Sequence, residues 1–114
     1  MKIIITRKIV DDPNQHWDGD NEQDRLEFER GDWHLVGVYA EAEIHFPYGK
    51  DFIIGKLKSP GLWGVQSHSG EDYFNKIFEE EVKTLKGMIE AFRSGPLEYE
   101  ICKENEGYAS ELGV

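Results

Sequence analysis

Residues 33–46, WHLVGVYAEAEIHF, alternate in character over the length of a long strand, and this restricts the fold more than any other stretch. Val36, Val38, Ala40, Ala42, Ile44 and Phe46 form one apolar face, while Glu41, Glu43 and His45 lie on the other. A strand with one wet face belongs to an antiparallel sheet that is covered on one side only. The cover is supplied by one long amphipathic segment. Tyr73, Phe74, Ile77, Phe78, Val82, Leu85, Met88, Ile89 and Phe92 recur at helical spacing, and Gly95-Pro96 ends the run.

The remaining elements follow from the same rules. Residues 2–10 are rich in Ile and Val and read as a strand, whereas DDPNQHWDG (11–19) is loop chemistry. A short acidic helix near residues 20–30 is expected to end at Gly31. PYGK is read as a turn centred on Tyr48 and Gly49, which sets Ile44 opposite Ile53, Ala40 opposite Leu57 and Glu41 opposite Lys56. LWGVQS is a further short strand, and Ser69 with Asp72 resembles a capping box at the start of the long helix. LEYEIC alternates and is expected to form an edge strand, followed by a loose tail at 103–114. The expected fold is a single α+β domain over 1–114, with three to five antiparallel strands packed on one long helix.

Charge narrows the functional classes. The net charge is −10, which disfavours attraction to a nucleic-acid backbone or an anionic membrane and favours a basic partner. The acidity is concentrated in an early segment and in the C-terminal stretch 95–114, which carries −4. Residues 11–32 carry −7, from Asp11, Asp12, Asp18, Asp20, Glu22, Asp24, Glu27, Glu29 and Asp32 against Arg25 and Arg30, while residues 1–10 carry +3. This segment reads either as a solvated, solubilising surface or as a docking surface for a basic protein, its carboxylates standing in for phosphates. On the long helix, Asp72–Lys76 and Glu79–Lys83 have the favourable acid-first spacing.

Motifs for chemistry are sparse. Residues 18–29 place acids at several positions of a calcium loop, but Gln23 and Arg25 occupy positions that need glycine and an apolar residue. His16, His34, His45 and His68 lack metal-ligand spacing, and no nucleophile or phosphate-loop frame occurs, so neither a cofactor nor a catalytic residue is expected. Cys102 is a lone cysteine, so no intrachain disulfide can form. The N-terminal MKIIITRKIV has too short an apolar run for a signal core or a bilayer span, so a soluble cytoplasmic protein is expected. Glu81 falls inside the apolar stripe of the long helix. A buried carboxylate needs hydrogen-bond partners or else marks a pocket, with His68 beside the helix start as its candidate companion.

RLEFERGDWHLVGVYAEAEI (25–44), GLWGVQSHSGEDYF (61–74) and EEEVKTLKGMIEAF together resemble a group of small uncharacterised proteins of bacteriophages and integrated mobile elements. In that group a tryptophan-led strand precedes a Gly-Leu-Trp-Gly-(Ile/Val)-x-Ser stretch and an acidic, Leu-rich helix. The resemblance covers residues 22–93, and this chain departs from it at His68, where an acid is common, and in its longer C-terminal extension. It brings no activity, cofactor or site residue. It does imply a phage or mobile-element origin, and with the charge it implies a protein that binds a basic host partner, such as an inhibitor of a nucleic-acid-binding CRISPR or restriction complex. Two other readings stay open. One is a self-associating module using Trp33, Tyr39 and Trp63; the other is a small ligand binder or enzyme using Glu81 and His68.

Overall fold

A computed structural model describes residues 1–101. The order of elements is β1 (Lys2–Asp11), α1 (Glu22–Arg30), β2 (Leu35–Tyr48), β3 (Asp51–Lys58), β4 (Leu62–Gln66) and α2 (Glu71–Ser94). The fold is α+β, a four-stranded antiparallel sheet with a long helix across one face. Residues 97–101 form no strand, contrary to the alternation of LEYEIC. Cys102 and the tail at 103–114 lie outside the described residues.

The sheet is organised by β2. One edge of β2 pairs with β1 without interruption from Lys2↔His45 to Asp11↔Val36. Its other edge is shared end to end, first by β3 along Glu41–Tyr48 and then by β4 along Leu35–Val38. The β2–β3 hairpin differs from the sequence expectation by one residue in each strand. Tyr48 pairs with Asp51, so the turn is Gly49-Lys50, with φ +62° at Gly49, and Ile44 meets Gly55 rather than Ile53. Glycine at the first turn position is what a two-residue hairpin turn of this hand demands. A total shift of two leaves every side chain on its expected face. The charge matching also survives, as Glu41↔Lys58 and Glu43↔Lys56.

β4 carries an irregularity that the sequence explains. Between Val36↔Val65 and Val38↔Leu62, β4 has one residue more than β2, and Gly64 within it has φ +71°. This is the geometry of a bulge with glycine in the left-handed region. Trp63 swings over Gly37, where any Cβ would collide with its indole ring.

Below the sheet, α2 buries Phe74, Ile77, Leu85 and Ile89. Phe74 and Ile77 pack with Val36, Val38 and Val65, while Leu85 and Ile89 pack with Ala40, Ala42 and Ile44. The start of α2 differs from a capping box. The cap residue is Gly70, no side chain bonds there, and the Ser69 hydroxyl donates instead to the Gln66 carbonyl at 2.7 Å. The first turn is held by Arg7 of β1, which donates to Glu71 at 2.8 Å and to Asn75 at 2.8 Å. Within α2 the ion pairs are Glu80–Lys83 and Glu90–Arg93, acid-first but at i,i+3, rather than the expected i,i+4 pairs Asp72–Lys76 and Glu79–Lys83.

Candidate partner-binding surface

The acidic segment is folded and anchored. Asn21 caps α1 by accepting from the Asp24 amide at 3.0 Å. At the other end the Gly31 amide donates to Phe28 and the Asp32 amide to Glu27, the paired bonds of a Schellman close. No residue of α1 is buried, so the helix stands on the surface and is held by its ends and by Phe28. Phe28 packs on Trp33 with ring centroids 5.0 Å apart, and Trp17 meets the same indole edge-on at 5.0 Å. Trp33 is 3% exposed and is therefore a core anchor, not part of a self-association surface.

The nine acids do not play one role. Asp12 is structural: its carboxylate accepts from the Asn14 amide and, at 2.8 Å, from the Gly64 amide in the bulge of β4. Asp11 contacts His34 at 3.0 Å, and Asp32 pairs with Arg30 at 2.7 Å, which raises the Arg30 pKa through that hydrogen bond. Arg25 bridges Glu22 and Glu29 along one side of α1, whereas Gln23 donates to Glu27. Asp18, Asp20 and Asp24 make no side-chain ion pair with any described residue. With Glu22, whose side chain is 77% exposed, Asp18 and Asp20 are open to a partner, whereas Asp24 is half-buried. The calcium-loop template fails here on geometry, because Glu22–Arg30 is helical and cannot wrap an ion. Among the described residues, no three His, Cys, Asp or Glu side chains converge as a metal site.

Glu81 and His68 are not brought together. Glu81 accepts from the Ser59 hydroxyl at 2.7 Å and from the Gly61 amide at 2.5 Å, at the point where β3 ends and β4 begins. Ser59 in turn accepts from the Ala40 amide. Glu81 is thus a satisfied carboxylate set between the two halves of the core. His68 packs on Trp33 at 5.1 Å, ahead of the helix start. Ten residues of helix, roughly 15 Å, separate Glu71 from Glu81. A groove lined by Gly61, Leu62, Tyr73, Lys76, Ile77, Glu80 and Glu81 is not lined by His68.

Several features went unread in the sequence. The Gln15 side chain acts as a short strand: its amide nitrogen donates to the Leu35 carbonyl at 2.7 Å and its oxygen accepts from the Leu35 amide at 2.9 Å. On the uncovered face of the sheet, Tyr39 stacks with Trp63 and His45 with Phe52, while Lys58 lies 5.6 Å above the Tyr39 ring. Alternation marks that face as wet and gives no sign that aromatics from separate strands would pair on it. Among the described residues no helix is long and apolar enough to cross a membrane. Comparison with protein-family models, with curated proteins and with solved structures finds no match.

Proposed function

We propose that this chain is a non-enzymatic binding protein that docks its acidic segment, residues 11–32, against a basic protein surface. The reading that its sequence resemblance favours is inhibition of a nucleic-acid-binding host defence complex by occupying the place of the phosphates. The observation that carries the proposal is the ordering of α1: an unburied helix, capped at both ends and pinned through Phe28 to a buried tryptophan, holds Glu22 and Asp24 at fixed positions, with Asp18 and Asp20 in the segment just ahead of it. A purely solubilising segment needs charge but not fixed spacing. Pre-organised carboxylates, by contrast, meet a basic groove without a further ordering cost.

Asp18, Asp20, Glu22 and Asp24 carry the contact, whereas Asp12 serves the fold. Reversing those four to Lys is expected to abolish capture of basic host proteins by the tagged chain, with the circular-dichroism spectrum of the core retained. Capture by the parent should fall steeply as salt rises, because exposed charges are screened within about 8–10 Å at ordinary ionic strength. If the reversed chain captures the same proteins with the same salt dependence, the proposal fails.

A further inference from the structure

β1 is an edge strand of an unusual kind. It pairs with β2 along all ten residues with no bulge, and among the described residues nothing pairs with its other edge. It holds no proline or glycine, and Ile3, Ile4, Ile9 and Val10 are each 37–38% exposed. Long, regular, apolar edges of this kind recruit another strand unless something blunts them. Here the only blunting devices are Lys2, Arg7, Lys8 and Asp11, and their placement is selective.

We propose that β1 pairs with β1 of a second copy, antiparallel about a two-fold axis through Thr6, joining two sheets into one of eight strands. A two-fold that joins two antiparallel edges runs perpendicular to the sheet and must pass through a residue position. Centred on Thr6, it sets Lys2 opposite Val10, Ile3 opposite Ile9, Ile4 opposite Lys8 and Ile5 opposite Arg7. No like charges meet, and nearly the whole strand is paired. Moved to Ile5, the axis sets Lys2 against Lys8; moved to Arg7 or Lys8, it sets that cation against its own copy. Moved to Ile4, it leaves half of the strand unpaired. Like charges directly opposite each other destabilise a sheet, so the basic residues that would forbid the other registers select this one.

Packing on the helix side agrees. Ile3 and Ile5 line a groove of about 380 Å³ with Lys86, Ile89, Glu90 and Arg93. In the Thr6 register Ile9 of the second copy lies beside Ile3 at the mouth of that groove. Arg7 opposite Ile5 keeps its own Glu71 as partner. The competing edge, β3, is shorter and is interrupted by Gly55, which weakens a strand interior.

The test uses the full chain and sedimentation equilibrium. The parent is expected to dimerise with little dependence on salt, because backbone bonds and isoleucines form the joint; this separates it from the salt-sensitive acidic docking proposed above. Ile4→Lys places a cation opposite Lys8 twice per dimer and is expected to weaken the dimer at least tenfold, while Ile4→Glu leaves it no weaker than the parent. Within one chain Ile4 pairs with Glu43, so Ile4→Lys gains a favourable neighbour and a loss of dimer cannot be assigned to unfolding. In a Cys102→Ser background, Thr6→Cys is expected to couple into a covalent dimer on oxidation. Ile4→Cys should not, since its symmetry mate would be about 13 Å away along the strand. A monomeric parent, equal dimer strength in the two Ile4 variants, or coupling through Ile4→Cys and not Thr6→Cys would overturn the assignment.

Discussion

Glu81 is the residue whose surroundings decide between the two readings its position allows. A carboxylate in the apolar stripe of a helix needs hydrogen-bond donors or else marks a pocket, and Ser59 and Gly61 supply the donors where the sheet passes from β3 to β4. Glu81→Ala would leave the Gly61 amide without its acceptor and is expected to cost about 2–3 kcal/mol in denaturant unfolding. Glu81→Gln keeps an acceptor and should cost less than about 1 kcal/mol. Trp33 is the second decisive residue, because Trp17, Phe28 and His68 all lean on it. Trp33→Ala is expected to lose about 3–5 kcal/mol, and with it the fixed placement of α1. Sequence alone could place Glu81 on the stripe, since that requires only helical periodicity. It could not supply Ser59 and Gly61, because the break between two strands on one edge of β2 is a tertiary event. Trp33, at the polar end of an alternating strand, gave no sign that three aromatic rings would converge on it.

Between elements, the strand and helix boundaries followed periodicity closely, and the departures have definite causes. The hairpin moved by one residue per strand because a two-residue turn needs its glycine first, a matter of backbone geometry that alternation does not encode. The start of α2 lacks a capping side chain because Ser69 is engaged by Gln66, and a contact from β1 replaces it. That contact titrates. The hydrogen bond from Arg7, helped by its charge, holds the Glu71 carboxyl below its usual range, and the same bond raises the Arg7 guanidinium. A carboxyl lowered in the folded state adds stability above its unfolded pKa and loses it as pH falls through the folded one. Glu71→Gln should therefore lower the melting temperature at neutral pH and match the parent once the pH is well below the carboxylate range. An equal deficit at both extremes would show that Arg7 gains nothing from the charge of Glu71.

Across the whole molecule, charge and shape separate into distinct surfaces. Among the described residues, the acids of 11–32 gather on and around α1, the edge of β1 is apolar and basic, and α2 covers the remaining face with mixed charge. The fold class and the core were legible because burial imposes its period on the sequence. The use of the acidic segment was legible only as two alternatives, since charge has the same composition whether it solubilises or docks. Fixing of α1 by its caps and by Trp33 is what favours docking. The most direct measurement is competition: a captured basic host protein is loaded with labelled duplex DNA, and the chain is titrated in at constant salt while fluorescence anisotropy is followed. The account predicts that the parent displaces the DNA and that the Asp18, Asp20, Glu22 and Asp24 reversal to Lys does not. DNA that stays bound with the parent, or is released equally by the reversed chain, would contradict it.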